Sequence, residues 1–180
     1  MIFLIMGEFG VGKDTVANYI IDYLPEEYCR KIKSFTTRKP RYDGEDTHIF
    51  VEKDETKIPN DSVAAWTKID DNYYWTTKEQ FDTGKMNIYV VDKIGAYDII
   101  NSHIDHTFVL EVIRPEWMRN VSSYRLGRET MERNPDDYVV KSDVRLLNTN
   151  SKEELKRNVE DLFRVDSDGY YHRLIFEVPK

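Results

Sequence analysis

Cysteine is almost missing from the 180 residues: Cys29 stands alone, which excludes an internal disulfide and any cysteine-built metal cluster. Histidine is scarce as well. The four residues show no H-x-x-x-H spacing, the pattern that puts two imidazoles on one helical face, so a zinc site of that kind is not expected. Long hydrophobic runs are also lacking. The opening stretch, Met1–Met6, is far shorter than the roughly 20 apolar residues a membrane-crossing helix needs, and no basic segment precedes it. Positive charge is in deficit: 26 Lys and Arg against 33 Asp and Glu give a net charge of −7, so no global field draws a nucleic-acid polymer. A local basic patch can still hold a small anion. Repeats, linkers and low-complexity tracts are absent. These absences point to a cytoplasmic protein with no membrane attachment. The 40% apolar content suffices for one domain with a sizeable core.

What is present begins at once. Ile2–Met6 is a continuous apolar run, as expected of a parallel strand buried on both faces. Val16, Tyr19, Ile20, Tyr23 and Leu24 then recur at helical spacing until Pro25 ends the segment. Between strand and helix lies "MGEFGVGKDT", in which Gly7, Gly12 and Lys13 keep the G-x-x-x-x-G-K spacing of a phosphate loop. Such a turn aims backbone N–H groups and the helix dipole at one spot, while Lys13 can neutralise β and γ phosphate oxygens. Asp14 stands where a magnesium-binding Ser or Thr is usual. A carboxylate there can meet magnesium, with the Thr15 hydroxyl beside it, or merely favour the helix start; both readings stay open.

Buried-strand signals recur at Ile88–Val91, Phe108–Ile113 and, more weakly, Val144–Leu147. Helical signals alternate with them. Thr76 or Thr77 opens a short helix closed by Gly84. Pro115 starts another through "PEWMRNVSSYRLGR", and Ser151 with Glu154 makes a capping box before Leu155, Val159, Leu162 and Phe163. The alternation predicts an α/β fold with an open, mainly parallel sheet. Residues 33–76 break it, being rich in Thr, Tyr, Trp and charge, and read as a small β-rich insert. Near the end, Asp168-Gly169 marks a turn. Cys29 reads as a packing residue behind the first helix, His103, His106 and His172 as surface residues, and Trp66 as core.

The most specific stretch is "SFTTRKPRYDGED", residues 34–46. Arg38 and Arg41 lie three apart with Pro40 between them, after the hydroxyls of Ser34, Thr36 and Thr37. Two guanidinium forks beside hydroxyls suit a phosphate monoester. Together with "GEFGVGKD", "NYYWT" (72–76), "YVVDKIGA" (89–96), "RLGRETMER" (125–133) and "VRLLNTNSKEELKRNVEDL", it resembles the guanylate kinases, members of the P-loop nucleoside monophosphate kinases. The resemblance covers roughly residues 1–163 and keeps the order of the motifs.

That resemblance implies a P-loop NTPase-type open parallel sheet with flanking helices, comprising core segments 1–32, 77–124 and 143–180, a nucleotide-binding insert at 33–76 and a helical lid at 125–142. It implies an ATP site at Gly7, Gly10, Val11, Gly12, Lys13, Asp14 and Thr15, with Asn148 near the adenine and Mg²⁺ at Asp14 and Thr15. Ser34, Arg38, Arg41 and Tyr74 match positions around the acceptor's phosphate, and Thr76 and Asp92 match positions that touch its base. Arg125 and Arg128 match lid arginines that, with Lys13 and Arg38, surround the transferring group. Three positions depart from the pattern: His48 replaces a phosphate-holding Tyr, Trp75 replaces a Gly at the margin of the acceptor pocket, and Ala65 replaces the Glu that reads guanine. The implied activity is transfer of the γ-phosphoryl group of ATP to GMP, dGMP or a related monophosphate, by a monomer or homodimer. The alternative is a non-catalytic module of the same kind that binds a phosphorylated partner.

Overall fold

The computed structural model describes residues 1–53, 61–82, 84–119, 133–149 and 151–164. Its centre is β1 (Ile2–Met6), whose five residues are all buried. Around it run β2 (Cys29–Ile32), β7 (Met86–Val90), β8 (Thr107–Ile113) and β9 (Val144–Leu147), in the order β2-β7-β1-β8-β9 and all parallel. A parallel strand at the middle of such a sheet is covered on both faces, which is why β1 carries no polar residue.

Side-chain alternation divides the core in two. Phe3 and Ile5 face Val16 and Ile20 of α1 (Lys13–Tyr23) and Leu155, Val159 and Leu162 of α3 (Lys152–Leu162). Ile2, Leu4 and Met6 face the other way, toward Ala96 and Ile99 of α2 (Lys93–Ser102). Each fully buried large apolar side chain contributes roughly 1.5–3 kcal/mol, so the two layers outweigh any surface interaction in fixing the sheet.

Helix ends follow local chemistry. Leu24 is extended ahead of Pro25 and stops α1. Asp92 starts α2 by accepting the Gly95 N–H at 2.7 Å. Ser151 starts α3 by accepting the Glu154 N–H at 3.2 Å, as the capping pattern predicts. The expected short helix near residue 77 is one 3₁₀ turn, Lys78–Gln80, closed by a reciprocal Thr77–Gln80 box.

A second sheet holds β3 (Phe35–Thr36), β4 (Ile49–Phe50), β5 (Val63–Ile69) and β6 (Asn72–Thr77) in the order β4-β3-β6-β5. It docks on α2 through small residues, since Ala64 and Ala65 share one buried cluster with Ala96 and Ile99.

Two expectations change. The helix expected from Pro115 does not start there: Glu116–Met118 makes a single 3₁₀ turn and Arg119 is extended, and the rest of that segment, residues 120–128, lies outside the described residues. The reason is local capture, because Arg114 Nε donates to Met118 O at 2.9 Å and Arg119 Nε donates to Arg114 O at 2.7 Å. Cys29 does not merely follow α1 but opens β2, 2% exposed. Residues 125–132 lie outside the described residues, and from 133 to 142 the proposed lid holds one 3₁₀ turn, Pro135–Asp137, and no α-helix. The Asp168-Gly169 turn and His172 also lie outside them; His103 and His106 are exposed as expected. Among the described residues no helix is long and apolar enough to cross a membrane.

Candidate active site

Leaving β1, the chain turns through Gly7, Gly10 and Gly12 at φ of 150°, 77° and 98°. Two of these positions also forbid a side chain sterically. A Cβ on Gly7 would fall 2.4 Å from Val112 O, and one on Gly12 would fall 2.7 Å from Asn148 Nδ2. Gly12 is the N-cap of α1, and no side chain caps the helix, so its first-turn N–H groups are left for an external anion. Lys13 folds back over the loop, donating to Gly7 O at 2.7 Å and Glu8 O at 2.9 Å. Burial lowers its pKa, against the pull of Asp14 and Asp92.

The loop is braced from behind. Val11 is buried, and its carbonyl accepts from Asn148 Nδ2 at 2.8 Å. Asn148 Oδ1 accepts from Arg114 Nη1 at 3.0 Å, and Arg119 reaches back to pair with Glu8. In front, the Asp14 side chain is 72% exposed, with Oδ1 3.9 Å from Lys31 Nζ.

A cavity of about 390 Å³ opens between this loop and the second sheet. Gly10, Gly12, Lys13, Asp14 and Thr15 border it on one side, and Ser34, Arg41, His48 and Tyr74 on the other. Ala65, Thr67, Tyr89 and Asp92 border it as well. Burial pushes the Tyr89 phenol up to about 12, and its hydroxyl lies 3.0 Å from Ser34 Oγ. Burial also raises the Asp92 carboxyl, though the Gly95 N–H holds it partly down.

Arg38 sits behind this surface. Its Nη2 and Nη1 donate to the two Glu45 carboxylate oxygens at 2.8 and 3.1 Å, and its Nε has no partner among the described residues. Glu45 further accepts from the Arg41 N–H at 2.6 Å and the Thr47 hydroxyl at 2.8 Å. Arg41, 45% exposed, is thus the arginine that borders the cavity, while the Arg38 fork is already taken. Of the pair expected from the sequence as twin phosphate forks, Arg41 borders the cavity and Arg38 is paired with Glu45 behind it.

His48 is half-buried, edge-on to Tyr74 with ring centroids 5.6 Å apart, and its Nδ1 lies 2.9 Å from Thr47 Oγ1. Burial, with Arg38 nearby, pushes its pKa down to about 4, so the ring is neutral at neutral pH. Thr76 is completely buried behind Ala65, its cross-strand partner, and does not border the cavity.

Strand pairing places Thr36, Tyr74 and Thr67 on one face of the second sheet, and Phe35, Trp75 and Trp66 on the other; Tyr74 and Thr67 border the cavity, and so does Trp66. Trp75, 5% exposed, stacks on Phe35 at 5.4 Å, so it does not stand at the pocket margin as the sequence suggested. Trp66, expected in the core, is half-buried beneath the Arg133 guanidinium, 5.2 Å above its ring. Arg133 is itself fixed by two 2.6 Å bonds to Asp98 and one of 3.0 Å to Trp66 O.

Of the residues expected from the sequence, ten border the one cavity; Gly7, Val11, Arg38, Thr76 and Asn148 support it from behind; Arg125 and Arg128 lie outside the described residues. Sequence reading missed Lys31, Glu45, Thr67 and Tyr89. Glu45 had a visible signal, a carboxylate seven residues after Arg38 in a glycine-containing turn. Thr67 and Tyr89 depend on strand register and gave none.

No protein-family model matches the chain. It is 32% identical over 144 residues to the guanylate kinase of Mycoplasma genitalium, covering 76% of this chain and 57% of that one. It is 38% identical over 129 residues to that of Mycoplasma pneumoniae, covering 67% and 53%. It is 29% identical over 143 residues to that of Caldanaerobacter subterraneus subsp. tengcongensis, covering 73% and 67%. The chain therefore spans little more than half the length of the first two. In three dimensions it matches the crystal structure of guanylate kinase from Anaplasma phagocytophilum with a TM-score of 0.60 at 19% identity, over 89% of this chain and 82% of that one. That likeness shows the fold, a P-loop α/β sheet with flanking helices.

Proposed function

Because the chain belongs to the guanylate kinase family, we propose that it transfers the γ-phosphoryl group of ATP to GMP, dGMP or a related nucleoside monophosphate. The observation that carries this reading is that Lys13 and the phosphate-loop residues share a cavity with Ser34, Arg41 and Tyr74. One side suits a triphosphate and the other a phosphate monoester, and the space between them is what a direct transfer requires.

In this reading the α1 N-terminus and Lys13 hold the donor's β and γ phosphates. The ammonium moves from the Gly7 and Glu8 carbonyls, which cannot neutralise it, to oxygens that can. Arg41 and Ser34 hold the acceptor phosphate, whose oxygen is already anionic and needs no general base. Glu45 fixes Arg38 and the Arg41 backbone, so the turn carrying Arg41 arrives preformed. Asp92 and the surrounding floor take the base. Arg125 and Arg128 are proposed to close over the transferring group from a lid at 125–142.

Asp14 and Thr15 offer a carboxylate and a hydroxyl side by side at the cavity edge, hard oxygen donors that fit magnesium together with phosphate oxygens and water. Bound there, Mg²⁺ would neutralise charge developing on the phosphates.

The test is release of ADP from ATP over a panel of ribo- and deoxyribonucleoside monophosphates. Turnover with a guanine monophosphate is expected. Binding of a monophosphate or phosphopeptide without any turnover would favour the non-catalytic module instead.

A further inference from the structure

Ala65 leaves a gap in the acceptor site, because the residue that the family pattern uses to read guanine is a carboxylate and alanine has no polar group. Thr67 follows it by two positions on β5, so both side chains leave the same face of the second sheet, and both border the cavity. Thr67 is 8% exposed, and its Oγ1 is buried with no hydrogen-bond partner among the described residues. An unpaired buried hydroxyl is costly, and in a cavity wall it marks the place where a ligand completes the pairing. The same hydroxyl lies near enough to Asp92 to favour the ionised carboxylate, without meeting hydrogen-bond geometry.

We propose that Thr67 is a specificity-determining residue that reads the acceptor base together with Asp92, in place of a carboxylate at position 65. The substrate class follows from the chemistry of the group. A carboxylate only accepts hydrogen bonds, so it selects guanine, whose N1–H and 2-amino group donate, and rejects adenine, whose N1 accepts. A hydroxyl both donates and accepts. Thr67 can therefore meet either purine, and the site takes guanine and adenine monophosphates with a much narrower preference than a carboxylate pair would impose.

This inference rests on the kinase reading, and the experiment separates the two. Turnover and calorimetric binding of GMP and AMP are measured for the full chain as wild type, Thr67→Val and Thr67→Ser. Thr67→Val is expected to weaken both monophosphates about tenfold, with KM for ATP unchanged, and Thr67→Ser to restore them. Serine keeps the hydroxyl while removing the methyl, so a packing role would give the reverse order. Unchanged monophosphate affinity in Thr67→Val, equal damage to ATP, or wild-type rejection of AMP would each overturn the proposal. Loss of monophosphate binding in Thr67→Val from a protein that turns over none of the panel would uphold Thr67 and overturn the kinase. A wild type that binds neither monophosphate would overturn both.

Discussion

Arg38 and Glu45 form a two-pronged ion pair, 2.8 and 3.1 Å across, with side chains 10% and 1% exposed. Removing one member of such a buried pair leaves the other charged and unsatisfied, which typically costs about 3–5 kcal/mol. Glu45→Ala is expected to lose stability on that scale in urea unfolding, and a loss below about 1 kcal/mol would mean the pair is dispensable.

Acid should reach the same pair. The Arg38 hydrogen bonds hold the Glu45 carboxyl down at about 2, below its ordinary 4.5. A carboxylate whose pKa is lowered by folding stabilises the fold fully above the unfolded value, and that contribution drains away as pH falls from 4.5 toward 2. Unfolding midpoints measured across that window should fall in the wild type and stay flatter in Glu45→Gln.

Lys13 carries the catalytic prediction. Its only hydrogen-bond partners among the described residues are two loop carbonyls, so little in the fold depends on its charge. Lys13→Ala is expected to keep its unfolding midpoint while kcat falls by about a hundredfold or more, the scale seen when one oxyanion-stabilising donor is lost. Near-normal turnover would remove the phosphate-loop reading.

How much of this was legible beforehand varies with the kind of signal. β1, the glycine loop and α1 were readable because a fully apolar strand, positive-φ glycines and a 3.6-residue stripe are local patterns. β2 was not, because Cys-Arg-Lys-Ile at a sheet edge buries only its two ends. The start of the helix expected from Pro115 is a 3₁₀ turn instead, because the Arg114 and Arg119 side chains capture the backbone there, a contact no periodicity reports. Within the site, the motif marked Arg38 and Arg41 alike, and their separation, Arg41 at the cavity and Arg38 behind it on Glu45, needed Glu45 in space. Trp66 and Trp75 share one face of the second sheet, and what separates them is their neighbours in space: Trp75 is buried against Phe35 while Trp66 lies half-buried beneath Arg133.

Arg41 supplies the acceptor prediction. It borders the cavity, 45% exposed, with Glu45 Oε1 3.9 Å from its Nη1. Arg41→Ala should raise KM for the monophosphate roughly ten- to a hundredfold, about 1.5–3 kcal/mol, with KM for ATP little changed. Arg38→Ala, by contrast, should show first as lost stability. Equal kinetic damage from the two, with neither destabilised, would contradict their separation.

His48 makes stability depend on pH in a second window. Folding lowers its pKa from 6.5 to about 4, chiefly by burial, so the folded chain prefers the neutral ring while the unfolded chain takes a proton first. Its effect is absent above 6.5, grows as pH falls toward about 4, and levels off below. His48→Gln should remove that slope between pH 6.5 and 4 while leaving the lower Glu45 window in place. An unchanged slope would show that His48 is solvated and titrates normally.

Asp14 decides between the two roles the motif left open. Gly12, not Asp14, is the N-cap of α1, and Asp14 sits in the first helical turn with its side chain 72% exposed and Lys31 3.9 Å away. Through the helix dipole alone, such an exposed carboxylate contributes about 0.3–1 kcal/mol. If that were its whole role, Asp14→Ala would cost that much stability and leave the magnesium requirement untouched. If instead it meets the metal, the loss should appear as a higher magnesium concentration needed both for turnover and for the rise in Tm produced by ATP with Mg²⁺, with little change in the Tm of the free protein. The position favours the second outcome: the carboxylate opens onto the cavity beside Thr15, where a hydroxyl-bearing residue at position 14 would otherwise present its oxygen. Asp14→Ser should then recover most of the magnesium response, since serine restores an oxygen ligand and removes a negative charge that Lys31 now offsets. Failure of Asp14→Ser to recover it, with Asp14→Ala showing only the small stability loss, would assign the residue to the helix.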